Sequence, residues 1–127
     1  MTGPALLLDS NVVVWFDQRP ARLPATAVRQ IESAPQVFIS AVTAWELAIE
    51  QSLGSLTLAS PVSSFVRTNG MIELPVAIRH GEAVRSLPLH HRDPFDRLLV
   101  AQAMLEGLTL VTGDHVLLQY GIPILMV

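Results

Sequence analysis

The chain has 127 residues, half of them hydrophobic and 15% charged, with a formal net charge of −3 and no cysteine. These values exclude disulfides, thiolate metal sites and a cysteine nucleophile, and they argue against a broad basic face for sequence-independent nucleic-acid binding. A nuclease that works through bound cations stays open. The length suits one domain over residues 1–127 with a sizeable core, and the apolar excess leads us to expect surface hidden in a partner or homodimer. No basic segment precedes the first apolar run, which Asp9 and Asp17 interrupt. Neither a signal peptide nor a membrane span is therefore expected, and the default location is the cytoplasm.

Residues 5–8 are a continuous apolar run that stops at Asp9-Ser10-Asn11, the pattern of a strand buried on both faces. Residues 11–16 are β-rich by propensity, but directly behind such a strand they are expected to turn into a short helix. Asp17, before Gln18-Arg19-Pro20, reads as a turn residue, and residues 19–24 as a loop. Apolar spacing predicts a helix over 25–34, stopped at Pro35. A second buried strand, 37–39, closes on Ser40 as N-cap of a helix over 41–53, with Gly54 as its stop. Residues 56–58 read as a short extended piece, 61–68 as a helix, Asn69-Gly70 as a turn and 72–76 as a strand or edge strand, since Pro75 cannot donate to a ladder. A helix over 77–87 and a polar loop follow. Asp93 then opens a helix running to Glu106, with Pro94 at its first position and Asp96 at the third, a capping-box arrangement with Asp in place of Glu. Residues 108–112 form another buried strand ending in Gly113-Asp114, and a short helix to Tyr120 precedes a final strand over 122–127. This alternation predicts a three-layer α/β/α sandwich around a mainly parallel sheet.

Carboxylates repeat in this pattern. Asp9 and Asp114 each stand just past the carboxyl end of an apolar strand, where open α/β folds bind ligands. Asp9 is equally suited to capping the next helix, and Asp96 to completing the Asp93 cap. Asp96 opens the helix leading into the second of these strands, and Glu46 lies in the helix leaving the 37–39 strand, so all four acids can reach one sheet edge. Such a cluster would be self-repelling unless it held a hard divalent cation, magnesium or manganese, which can activate water and bridge a phosphate oxygen. Ser10, Asn11, Thr112 and Asp93 are candidate supporting residues. His91, Arg92 and Arg97, beside the acidic helix start, are candidate substrate contacts. Glu50 reads as a solvated helix acid. The four histidines lack a tight ligand spacing and read as loop or surface residues.

Four stretches, Leu6-Leu7-Leu8-Asp9-Ser10-Asn11, residues 40–49 with Trp45-Glu46-Leu47, His90-His91-Arg92-Asp93-Pro94-Phe95-Asp96-Arg97 with its continuation to Ala103, and Leu108-Thr109-Leu110-Val111-Thr112-Gly113-Asp114, occur in an order that resembles PIN-domain proteins. The likeness is specifically to the VapC toxins of bacterial toxin–antitoxin pairs, and it covers essentially the whole chain. It implies a Rossmann-like fold and a Mg2+- or Mn2+-dependent endoribonuclease whose ion is held by Asp9, Glu46, Asp96 and Asp114, with Ser10 and Thr112 in support. It further implies a homodimer and a cognate VapB-type antitoxin that covers the site. Glu50 stands where many relatives carry Lys, and Gly113 where they often carry a larger or charged residue. Two other readings compete: a PIN-fold docking module with little catalysis, or a nuclease acting on DNA. A phosphotransfer domain fits less well, because no late lysine motif is present.

Overall fold

The computed structural model describes residues 3–127. Five short strands, β1 (Leu6–Leu8), β2 (Val37–Ser40), β3 (Ile72–Leu74), β4 (Thr109–Thr112) and β5 (Ile124–Met126), form one sheet in the order β3-β2-β1-β4-β5. Every pairing is parallel. All carboxyl ends therefore meet along one edge, as the strand–helix alternation predicts. The helices are α1 (Ser10–Gln18), α2 (Ala25–Ser33), α3 (Ala41–Ser52), α4 (Val62–Thr68), α5 (Ile78–Ala83) and α6 (Pro94–Glu106). None of the described helices is long and apolar enough to cross a membrane.

Strand β1 shows why the layers form. Successive side chains point to opposite faces, so Leu6 and Leu8 join one core with Val12, Val13, Leu47 and Val111. Leu7 joins the other, with Val42, Leu99, Val100 and Leu110. Leu7, Leu8 and Leu110 are completely buried, each contributing about 1.5–3 kcal/mol relative to an exposed side chain. The central strands thus need helices on both sides. Helix α6 ends at Gly107, whose φ of +68° is a left-handed conformation that a β-carbon would disfavour.

Several expectations are corrected. Residues 56–58 form no strand: Leu56 and Leu58 pack on the core, and Gln18 bonds the segment through Thr57 O (3.2 Å) and Ala59 N–H (3.1 Å). The helix expected over 77–87 stops at Ala83 and tightens into a 3-10 turn at Val84–Ser86, leaving Leu87 extended before Pro88. The segment to Tyr120 is a 3-10 helix (His115–Tyr120), and Pro20–Arg22 is a 3-10 turn within the expected loop. Asp17 is not a turn residue but lies within α1. His80, expected on the surface, is only 2% exposed. Its Nδ1 accepts the Ala77 N–H (2.8 Å) and its Nε2 lies 2.8 Å from Glu106 Oε2, so α5 is tied to the end of α6.

Candidate active site

At the carboxyl edge of the sheet, each acid is placed by the element it begins or follows. Asp9 leaves β1 and caps α1, its Oδ1 accepting the Val12 N–H (3.1 Å) while Oδ2 accepts the Thr112 hydroxyl. Thr112 closes β4, and its oxygen in turn accepts the Asp114 N–H (3.1 Å). Asp114 caps the following 3-10 helix through Val116 N–H (3.0 Å). Cap and cleft residue are therefore not alternatives for Asp9 or Asp114, because a carboxylate has lone pairs enough for both.

Asp93 caps α6, accepting Phe95 N–H (2.8 Å) and Asp96 N–H (3.4 Å). The reciprocal half of the expected capping box is not formed. The Asp93 N–H donates instead to Nδ1 of His91 (3.0 Å). This releases the Asp96 carboxylate into the cleft, where its Oδ2 lies 3.3 Å from His91 Nε2. The same Nε2 is 2.8 Å from Asp114 Oδ2. His91 is thus neither a solvated loop residue nor free to meet a phosphate, since its ring is engaged among the acids.

Glu46 projects from α3 toward the same place, and its Oε1 is buried without a hydrogen-bond partner among the described residues. Asp9, Glu46, Asp93, Asp96 and Asp114 line one open cleft of about 530 Å³, with Ser10, Asn11 and Glu50 beside them and Trp15 and Gly113 on its wall. A β-carbon at Gly113 would meet the Trp15 ring at 3.6 Å and Val127 O at 3.5 Å, which is ordinary van der Waals contact. The guanidinium of Arg22 lies over the Trp15 ring, 5.1 Å from its centroid.

Burial and mutual repulsion dominate the electrostatics. Burial raises the Asp9 carboxyl despite the bonds from Thr112, Val12 and Asn11, and the charge of Asp114 adds to the rise. Burial also raises Glu46, partly offset by the Ser10 hydroxyl, with Asp93, Glu50 and Asp9 adding repulsion. Asp96 is pushed up to about 7 by burial and by the charges of Asp93 and Asp9, against an opposing contribution from His91. Among the described residues no Lys or Arg forms an ion pair with any of these acids.

Arg97 is accounted for elsewhere. Its guanidinium donates to the carbonyls of Pro88 (3.0 Å), Val84 (3.1 Å), Leu87 (3.4 Å) and His91 (3.4 Å) and to the Tyr120 hydroxyl (3.3 Å). It binds the 84–91 segment to α6 rather than facing the cleft. Arg92 is exposed. The sequence reading missed Trp15 and Arg22; the available signal was an aromatic residue one helical turn beyond Asn11, on the strand-following helix that Asp9 caps.

The donor set fits a hard divalent cation. It consists of carboxylate oxygens, one of them buried and without a hydrogen-bond partner among the described residues, and burial followed by mutual repulsion raises Asp9, Glu46 and Asp96.

Known proteins share this fold. Residues 6–122 match the PIN domain. The chain is 33% identical over 121 residues to Ribonuclease VapC22 of Mycobacterium tuberculosis, covering 93% of each protein. It superimposes on the structure of VapBC2 from Rickettsia felis bound to a promoter DNA fragment with a TM-score of 0.74 at 14% identity, covering 96% of this chain and 98% of that one. For FitAcB from Neisseria gonorrhoeae the TM-score is 0.62 at 22% identity, covering 94% and 95%. With its parallel sheet, its acid-lined edge and a match running through nearly its whole length, this chain belongs to the PIN-domain family.

Proposed function

We propose that this chain is a metal-dependent endoribonuclease toxin, acting in the cytoplasm and neutralised by a cognate VapB-type antitoxin. The observation that carries the reading is the convergence of Asp9, Glu46, Asp96 and Asp114 on one cleft with no Lys or Arg paired to them among the described residues. The relative named a ribonuclease supports RNA as substrate, and the similar structures solved as VapBC and, from Klebsiella pneumoniae, as a toxin–antitoxin complex support the protein partner. Exposed Trp45, Leu53, Ile78 and Leu89 offer apolar surface for the antitoxin and a second copy of the chain, in keeping with a homodimer.

Asp9, Asp96 and Asp114 would hold Mg2+, with Mn2+ as an alternative, and Glu46 would either join them or face the attacking water. When bound, the ion supplies positive charge to the phosphodiester oxygens and lowers the pKa of a water. The chain's own contribution is positioning. Thr112 fixes Asp9 and the backbone of Asp114 together, and the Val12 and Val116 N–H groups hold one oxygen of each acid. Glu46, whose carboxyl burial raises, is the side chain suited to take a proton from water in the cleft.

The test is cleavage of a pooled tRNA and rRNA substrate by purified protein in Mg2+, in Mn2+ and in EDTA, with single-stranded DNA as a parallel substrate. RNA cleavage that EDTA abolishes and Asp9→Ala eliminates is the expected result. Cleavage of DNA alone, or RNA cleavage indifferent to EDTA, would overturn it.

A further inference from the structure

The acidic cleft contains a side chain that its chemistry does not require there, the imidazole of His91. We propose that His91 is an internal stand-in for the cation: its Nε2–H bridges Asp96 and Asp114 in the free protein and must turn aside when an ion binds. This rests on the metal-dependent reading above.

The tautomer follows from the backbone. The Asp93 N–H donates to Nδ1 at 3.0 Å, so Nδ1 presents its lone pair and the ring proton of neutral His91 sits on Nε2. That proton is directed at Asp114 Oδ2 (2.8 Å), with Asp96 Oδ2 at 3.3 Å. Nε2 and one oxygen from each acid lie within 4.8 Å of one another. Two ligands about 2.1 Å from a shared ion lie about 3 Å apart when cis in an octahedron. The N–H therefore points into the space that an ion held by both acids would use.

The same three residues could be taken for a histidine–carboxylate metal triad, but the hydrogen bonding argues otherwise. A histidine that binds metal through Nε2 carries its proton on Nδ1 and donates it to an acceptor. Here Nδ1 faces a donor, so ligation through Nε2 would set two N–H groups against each other. The ring is arranged to donate to the acids, not to share an ion with them. It lends two crowded carboxylates a hydrogen bond that no Lys or Arg among the described residues supplies. Loading the cleft with metal must give up that bond, which lowers the affinity for the ion.

The experiment compares Mn2+ binding to wild-type protein and to His91→Ala by the amplitude of the free Mn2+ electron paramagnetic resonance signal, with a thermal melt confirming that the variant folds. Removing the competing bond should tighten binding about three- to tenfold. Imidazole 15N spectra of the wild type supply a second readout that needs no variant. His91 should show the Nε2–H tautomer in EDTA, and its resonances should move on saturation with Mg2+. Weaker Mn2+ binding in His91→Ala would mark the ring as a ligand or an orienting group and overturn the proposal. Equal binding, or a His91 spectrum indifferent to Mg2+, would overturn it too. If the wild type binds no Mn2+ at all, the metal-dependent reading itself fails, an outcome distinct from the others.

Discussion

Two histidine–carboxylate pairs in this molecule are built almost alike and do different work. At both His80 and His91, Nδ1 accepts a backbone N–H two or three residues onward or back, and Nε2 lies 2.8 Å from a carboxylate oxygen. What differs is the surrounding charge. Glu106 has Arg79 against it as well as His80, and its carboxyl is held below the usual range, chiefly by the His80 hydrogen bond. Around His91 the neighbours are Asp96 and Asp114 and, through them, Asp9 and Glu46, and burial together with mutual repulsion raises the carboxyls of Asp96, Asp9 and Glu46. The first pair is a satisfied tie between helices. The second lies in a place with too much negative charge. Hydrogen-bond geometry alone does not separate a structural histidine from a functional one; the balance of charge around it does.

The acids are where the two sites differ most. Asp9→Asn should reduce metal-dependent RNA cleavage by at least about a hundredfold, with the thermal midpoint unchanged or raised because one buried like charge is gone. Glu106→Gln should leave the cleavage rate as it is. Next come the rings themselves. Removing buried His80 strands the Ala77 N–H, so His80→Ala should cost about 2–3 kcal/mol in urea unfolding. His91→Ala, at the open cleft, should cost less than about 1 kcal/mol by the same measurement.

Acidity separates the two sites in opposite directions. Asp96 titrates at about 7 in the folded chain against 3.8 for an unperturbed aspartate. Between those values the folded state holds a proton that the unfolded state has released, so this site's contribution to stability falls as pH rises through the interval. Urea midpoints measured in EDTA should show that decline, and Asp96→Asn should flatten it. Glu106, with its lowered pKa, stabilises the fold above the unperturbed 4.5 and loses that contribution as the solution becomes more acidic. The smallest effect is at Arg79, whose side chain is 55% exposed. Arg79→Ala should change stability by well under about 1 kcal/mol, while raising the Glu106 carboxyl toward its ordinary value, detectable by 13C titration.

The parallel sheet was legible because burial on both faces forces near-continuous apolar runs, and Leu6-Leu7-Leu8 and Leu110-Val111 are such runs. The edge acids were legible for the same reason, since Asp9 and Asp114 interrupt those runs at the turn into the next element. Glu46 and Asp96 could be assigned to the edge from helix phase and motif. The histidines could not. The partner of His80 lies 26 residues away and that of His91 lies 23 away, and no local pattern announces either pairing. Arg97 misled for a related reason: beside an acidic motif it resembles a phosphate ligand, yet the carbonyls that occupy it belong to a bend whose path only the tertiary structure shows. Residues 56–58 alternate like a strand, but their two leucines are held by the core and by Gln18, with no neighbouring strand involved.

Thr112 joins Asp9 to the Asp114 backbone across a sequence separation of 103 residues, through the register of β1 on β4. No fragment ending before β4 can assemble these acids, and an unfolded chain has them scattered. Any ion that selects this cluster therefore selects the completed fold, and its binding free energy adds directly to the free energy of unfolding. Divalent cations should thus extend the life of this protein against unfolding and proteolysis, and their depletion should shorten it. Metal supply would then govern how long the chain persists as well as what it can cut.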